Sequence, residues 1–133
     1  MSYDGRATAR ISKEYSLIYD KITTDELSPF KDKDKTLVFV TAAAIGFKEN
    51  KKSSNSGERQ DLFVVNLLKD KEILWLMKAI AMSAEGVEVL KDLKKVTQIC
   101  EEYANEGLHL LMDICESGKD NTISLAEAMS KTA

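Results

Sequence analysis

The sequence is short of the residues that interrupt regular structure, with one proline and six glycines among 133 residues. That scarcity excludes collagen-like and low-complexity classes, and 44% hydrophobic with 31% charged residues places the chain in the helix-leaning globular range. It is as short of chemistry: one histidine, His109, and two cysteines, Cys100 and Cys115. No run approaches the roughly 20 apolar residues that cross a bilayer, and Met1 to Arg10 is too polar for a secretory signal. The expected location is therefore cytoplasmic, with no membrane partner. Nor does one sign of charge dominate. A net charge of -3 provides no global attraction to nucleic acid, so any such contact must be local.

What is present is apolar periodicity. The length fits a single domain, 1–133, and the pattern predicts a mostly α fold: a compact multi-helix domain of about four main helices around a buried apolar helix, with room for one short strand pair. Residues 1–10 show no periodicity and read as a loose arm, ending in a short extended piece at Ala7 to Ile11. Ile11, Tyr15, Ile18, Tyr19 and Ile22 then recur at three- and four-residue spacing, which predicts an amphipathic helix capped by Ser12. Pro29 marks a turn. After it, with Asp32 or Asp34 as cap, Thr36 to Phe47 runs without a charge through Val38, Phe39, Val40 and three successive alanines. A helix apolar all round must be covered by its own domain or by a partner subunit. A charge at Val40 or Ala44 is expected to unfold the domain.

Lys48 to Gln60 is polar and reads as an exposed loop, and Leu62 to Leu68 as either a strand or a connection. A helix is predicted from Lys69 or Asp70 to a stop near Gly86. Val87 to Leu93 reads as a short apolar segment, and the longest helix runs from Val96 to Ile114. Gly107 inside that helix costs up to about 1 kcal/mol relative to alanine, so a close helix contact or a kink is expected there. Ser117 and Gly118 end it, and 119–133 reads as a mobile tail. Cys100 and Cys115 fall on one helix, roughly 22 Å apart, too far to pair within the chain; both are expected to be free thiols.

The search for a catalytic constellation is short. His109 lies on or beside the apolar stripe of the long helix, and Cys115, six residues on, is out of phase for a shared metal ligand. No Gly-x-Ser-x-Gly or phosphate-cradling glycine motif occurs. Glu101, Glu102 and Glu106 make an acidic face that reads as solvated. No catalytic, metal or cofactor residues are predicted, and the chain is expected not to be an enzyme. The stretch richest in functional signal is the loop after the central helix. Lys48, Lys51, Lys52 and Arg59 outnumber Glu49 and Glu58, with serine and asparagine between them, a composition suited to contacts with the phosphates of the DNA backbone. A plain solvated loop has the same composition. Arg6 and Arg10 alternating with Ala7 and Ala9 also allow an N-terminal strand lying in a groove, as in a dimeric ribbon-helix-helix regulator.

Three stretches carry a family resemblance: Pro29, Phe30 and Lys31; LVFVTAAAIGFK at Leu37 to Lys48; and EEYANEGL at Glu101 to Leu108. Across about Phe30 to Glu116 the chain resembles small proteins associated with Dnd systems, which place sulfur in the DNA backbone as phosphorothioate. The resemblance implies a context beside that modification, or the restriction that depends on it, with partners among the proteins of the system, and it implies no active site. The function expected is a non-catalytic accessory protein that contacts DNA or acts as an adaptor. The alternatives are the ribbon-helix-helix regulator and a protein-binding scaffold, with a homodimer as a further expected partner state.

Overall fold

The computed structural model describes residues 7–26, 28, 30–54 and 57–115. Along the chain β1 (Thr8–Ser12) passes through one 3-10 turn into α1 (Ser16–Thr24), and α2 (Lys35–Lys48) follows after a connecting loop. Then come β2 (Arg59–Val64), 3-10 turns at Val65–Leu67 and Val87–Lys91 on either side of α3 (Lys71–Glu85), and α4 (Leu93–Cys115). Among the described residues the fold is thus four α-helices with one antiparallel strand pair.

The uncharged segment is α2, and its neighbours cover it. Asp34 caps it by accepting from the Thr36 amide at 3.2 Å, so of the two expected caps the nearer one is used. Val38, Phe39, Val40, Ala42, Ala43 and Ile45 are buried, mostly against α4, with Phe39 meeting Phe63 of β2 edge to face at 5.2 Å. Buried Thr41 satisfies its hydroxyl by donating to the Leu37 carbonyl one turn back. The domain itself therefore covers most of the helix's apolar surface, with Leu37 left exposed. Val40 is buried and Ala44 is partly exposed, so burial supports the expected unfolding by a charge more strongly at Val40 than at Ala44.

The α2–α4 seam is the most extensive helix packing in the fold, and two glycines permit it. A Cβ on Gly107 would overlap the carbonyl oxygen of Ala42, and one on Gly46 would overlap the carbonyl oxygen of Tyr103. Backbone therefore lies against backbone, and only hydrogen fits between. This is the close helix contact that Gly107 implied. The helices run antiparallel there, since Ala42 faces Gly107 while Gly46 faces Tyr103.

The N-terminal reading needs correction. Ile11 and Ser12 belong to β1, and α1 begins only at Ser16, because Ala7, Ala9 and Ile11 alternate with Thr8 and Arg10 at the period of a strand. The helical spacing from Ile11 onward shares that residue with the strand, and pairing with β2 decides the competition. The loose arm shrinks accordingly, since Ala7 and Ala9 are fully buried core; residues 1–6 lie outside the described residues. The undecided segment 62–68 divides, strand to Val64 and 3-10 turn to Leu67. The loop of 48–60 narrows to 49–58, because Lys48 closes α2 and Arg59 opens β2. Pro29, Asn55, Ser56 and the tail 119–133 lie outside the described residues.

α3 and α4 follow their periodicity. Asp70 caps α3 through the Glu72 amide, and Gly86 ends it at a φ of 95°, which a side chain would strain. Asp92 accepts from the amides of Lys94 and Lys95 at the start of α4. Buried Cys100 donates to the Met77 carbonyl, and burial pushes its thiol up to about 12, a structural and unreactive setting. No helix of the described residues is long and apolar enough to cross a membrane.

Candidate nucleic-acid interface

The basic loop leaves α2 at Lys48, whose charge complements the carbonyl end of the helix. Three hydrogen bonds then hold it down. The Lys51 amide donates to the Gly46 carbonyl at 2.9 Å, and the Ser53 amide donates to the Glu102 carbonyl of α4 at 3.0 Å. The side-chain amide of Asn105 donates to the Ser53 carbonyl at 2.8 Å. Asn105 is buried and Ser53 half-buried, so this bond is partly shielded from water. Tyr103 completes the platform: Phe47 packs edge to face on its ring at 5.4 Å, and the Lys52 ammonium stands 5.7 Å from the ring centre.

The two stretches that carry the resemblance therefore meet. Gly46, Phe47 and the residues after them lie on Glu102, Tyr103 and Asn105, and Gly46 is what lets the backbones approach. The side chains of Lys51 and Lys52 are exposed, while Lys48 is half-buried. Arg59 belongs to β2 rather than to the loop. It opens β2 opposite Ser12, exposed, with its guanidinium in the field of the Glu101 carboxylate. Tyr103 and Asn105 are site residues that composition and periodicity do not single out; their signal is present in the EEYANEGL stretch, without any indication of which loop they hold.

The acidic face of α4 also differs from expectation. Glu101 is half-buried rather than fully solvated, because β1 lies over part of it. The register of β1 against β2 slips between Ala9 and Arg10, and the Arg10 amide turns to donate to the Glu101 carboxylate at 2.6 Å. Burial pushes the Glu101 carboxyl above its ordinary range, opposed by the Arg10 amide bond and by the nearby charges of Arg59 and Arg10. The Arg10 guanidinium pairs with Asp61 at 2.9 Å, and Lys13 reaches Glu58 at 3.4 Å. These ion pairs are exposed and contribute at most about 1 kcal/mol each.

β1 is thus paired within the chain. One of its edges is taken by β2 of the same chain, whereas a ribbon-helix-helix dimer pairs that strand with its copy. His109 is exposed, its ring edge to face with Tyr15 at 5.3 Å and its Nε2 3.4 Å from the Tyr15 hydroxyl. Among the described residues no group of three or more histidine, cysteine, aspartate and glutamate side chains is placed to hold a metal ion.

The comparisons with known proteins bear on this site as a whole. No curated protein and no solved structure matches the chain. A family model does: that of DNA sulphur modification system-associated protein 4, over residues 8–133. The match is wider than the resemblance seen in the sequence, since it takes in β1, α1 and the tail as well as the α2 and α4 stretches. With nearly the whole chain covered, the protein belongs to the family of DNA sulphur modification system-associated protein 4.

Proposed function

We propose that this chain is a non-catalytic accessory protein of a DNA phosphorothioate modification or restriction system, contacting the DNA backbone through Lys48, Lys51, Lys52 and Arg59. The observation that carries the reading is the docking of the loop. A freely moving lysine loop loses conformational entropy when it settles on phosphates, about 1–2 kcal/mol per backbone residue ordered. Here the backbone from Gly46 to Ser53 is already tied to α2 and α4, so the exposed ammonium groups of Lys51 and Lys52 stand on a prepared base. Membership of a family associated with DNA sulphur modification supplies the context in which a backbone-reading surface is useful. Contacts of this kind read phosphate rather than base, so sequence preference is expected to be weak and salt dependence strong.

The test is binding of the full chain to modified and unmodified duplex across a salt series, repeated with all four cations changed to alanine. The reading expects a linear fall of log affinity with log salt. Every phosphate that the substitutions leave unneutralised should reduce the slope by about 0.9. Absence of binding, or a slope the substitutions leave unchanged, removes the DNA contact and leaves an adaptor role.

A further inference from the structure

Tyr19 and Tyr103 are both buried, and they differ in what lies above them. Tyr19 is 1% exposed and Tyr103 5%, and among the described residues neither hydroxyl has a hydrogen-bond partner. Other buried hydroxyls pair within their own helix: Thr23 donates to the Tyr19 carbonyl, Thr41 to that of Leu37 and Thr97 to that of Leu93. A phenol is too long to turn back in that way, and a buried hydroxyl left unpaired costs stability. Tyr19 sits inside the core, where nothing from outside reaches it. Tyr103 lies at the candidate interface, beneath the exposed Lys52, whose ammonium stands 5.7 Å from its ring centre.

We propose that Tyr103 is itself a DNA-contacting residue, its hydroxyl donating to a non-bridging oxygen of the backbone phosphate that Lys52 neutralises. This rests on the DNA reading of the loop and adds to it a neutral donor from α4. The two side chains act differently on one phosphate group. Lys52 carries its charge on a flexible stem and fixes no direction, whereas a phenol on a held ring fixes where the oxygen sits. The ring is already held. Phe47 packs edge to face on it at 5.4 Å, and the Tyr103 main chain lies against Gly46, whose lack of a side chain admits the Tyr103 carbonyl. The hydroxyl therefore loses little conformational freedom on meeting its ligand. A phosphate oxygen also supplies the partner that the fold withholds, so binding relieves a cost the free chain bears. Being neutral, the phenol displaces no counterion and adds nothing to the salt dependence.

The parent chain, Tyr103→Phe and Tyr19→Phe are compared for binding to modified and unmodified duplex across the salt series, and for thermal unfolding without DNA. Phenylalanine keeps the ring against Phe47 and Lys52 and removes the oxygen alone. Tyr103→Phe should bind about tenfold more weakly at every salt concentration, with the slope of the parent, as for the loss of one hydrogen bond to a charged group. Its unfolding midpoint should equal or exceed that of the parent. Tyr19→Phe should likewise unfold no earlier than the parent, and should bind as the parent does. A Tyr103→Phe chain that binds like the parent overturns the proposal, and leaves the lysine reading standing where the fourfold alanine substitution still lowers the slope. A lowered midpoint in Tyr103→Phe also overturns it, since the hydroxyl would then have a partner inside the fold, as does an equal loss of affinity in Tyr19→Phe. Absence of duplex binding by the parent overturns this proposal and the loop reading together.

Discussion

α2 and α3 both carry more apolar surface than a surface helix needs, and they dispose of it in opposite ways. In α2 the excess is absorbed internally: α4 comes so close that Gly46 and Gly107 face backbone carbonyls, and α3, α1 and β2 pack on the remaining sides. In α3 the inner face fills the core while Trp75, Leu76 and Met82 stay outside. Apolar content alone does not distinguish these outcomes. Small residues do, since Ala42, Ala43, Gly46, Ala104 and Gly107 allow a second helix to lie directly on α2, and α3 has no such partner across its outer strip among the described residues.

The sharpest way to break this comparison is at the seam. Gly107→Ala places a methyl group into the Ala42 carbonyl, which is backbone and cannot rotate away, so a loss on the order of 3 kcal/mol or more is expected in denaturant unfolding. Against a total stability of about 5–15 kcal/mol the variant should be markedly easier to unfold and poorly soluble. Gly46→Ala should behave alike. A soluble Gly107→Ala protein of parent stability would mean that the helices stand further apart than described.

The next effect is smaller and concerns the loop. Asn105→Ala leaves the Ser53 carbonyl without that donor, and about 1–3 kcal/mol should be lost. The loop is then held less firmly while the four cations, two of them in the loop, remain. Duplex affinity should fall with the salt slope little changed, which separates the role of docking from the role of charge.

Glu101 gives a pH-dependent effect. Its folded carboxyl is raised above the ordinary value of 4.5, chiefly by burial, so the folded protein binds that proton more tightly than the unfolded chain does. Its contribution to stability is therefore present at low pH and is lost as pH rises from the unfolded value through the raised folded one. Glu101→Gln removes the titration and keeps an oxygen to accept from the Arg10 amide. Measured by thermal unfolding, the stability of the parent relative to this variant should rise on acidification from neutral pH. A difference that is flat in pH, or falls, contradicts the burial of this carboxyl. Smallest of all, Trp75→Ala should change monomer stability by no more than about 0.5 kcal/mol, in contrast to several kcal/mol for the same change at Phe39.

Much of this was legible in the sequence because it is local. A cap at Asp32 or Asp34, the span of α2, the stop near Gly86 and a close contact or kink at Gly107 follow from residues within a turn of the feature they control, and the structure selects Asp34 and the close contact. The start of α1 was not legible, because Ile11 satisfies helix and strand spacing alike and only pairing with Gln60, a residue 49 positions away, chooses between them. The cations of the candidate site could be named from composition. Their support could not, since Asn105 and Ser53 are 52 residues apart and neither is unusual where it stands. Glu101 was misread for the same reason: an acidic helix face looks solvated until β1 is known to cross it.

The central claim is that the basic loop is a fixed extension of the α2–α4 seam and not a freely solvated connection. Amide hydrogen exchange of the full chain at Lys51 and Ser53 tests it without any ligand. Slowed exchange is expected at both, the Ser53 amide protected because it donates to the Glu102 carbonyl of α4, and protection at Ser53 is expected to be lost in Asn105→Ala. Exchange at both amides at the rate of an unstructured peptide would contradict it.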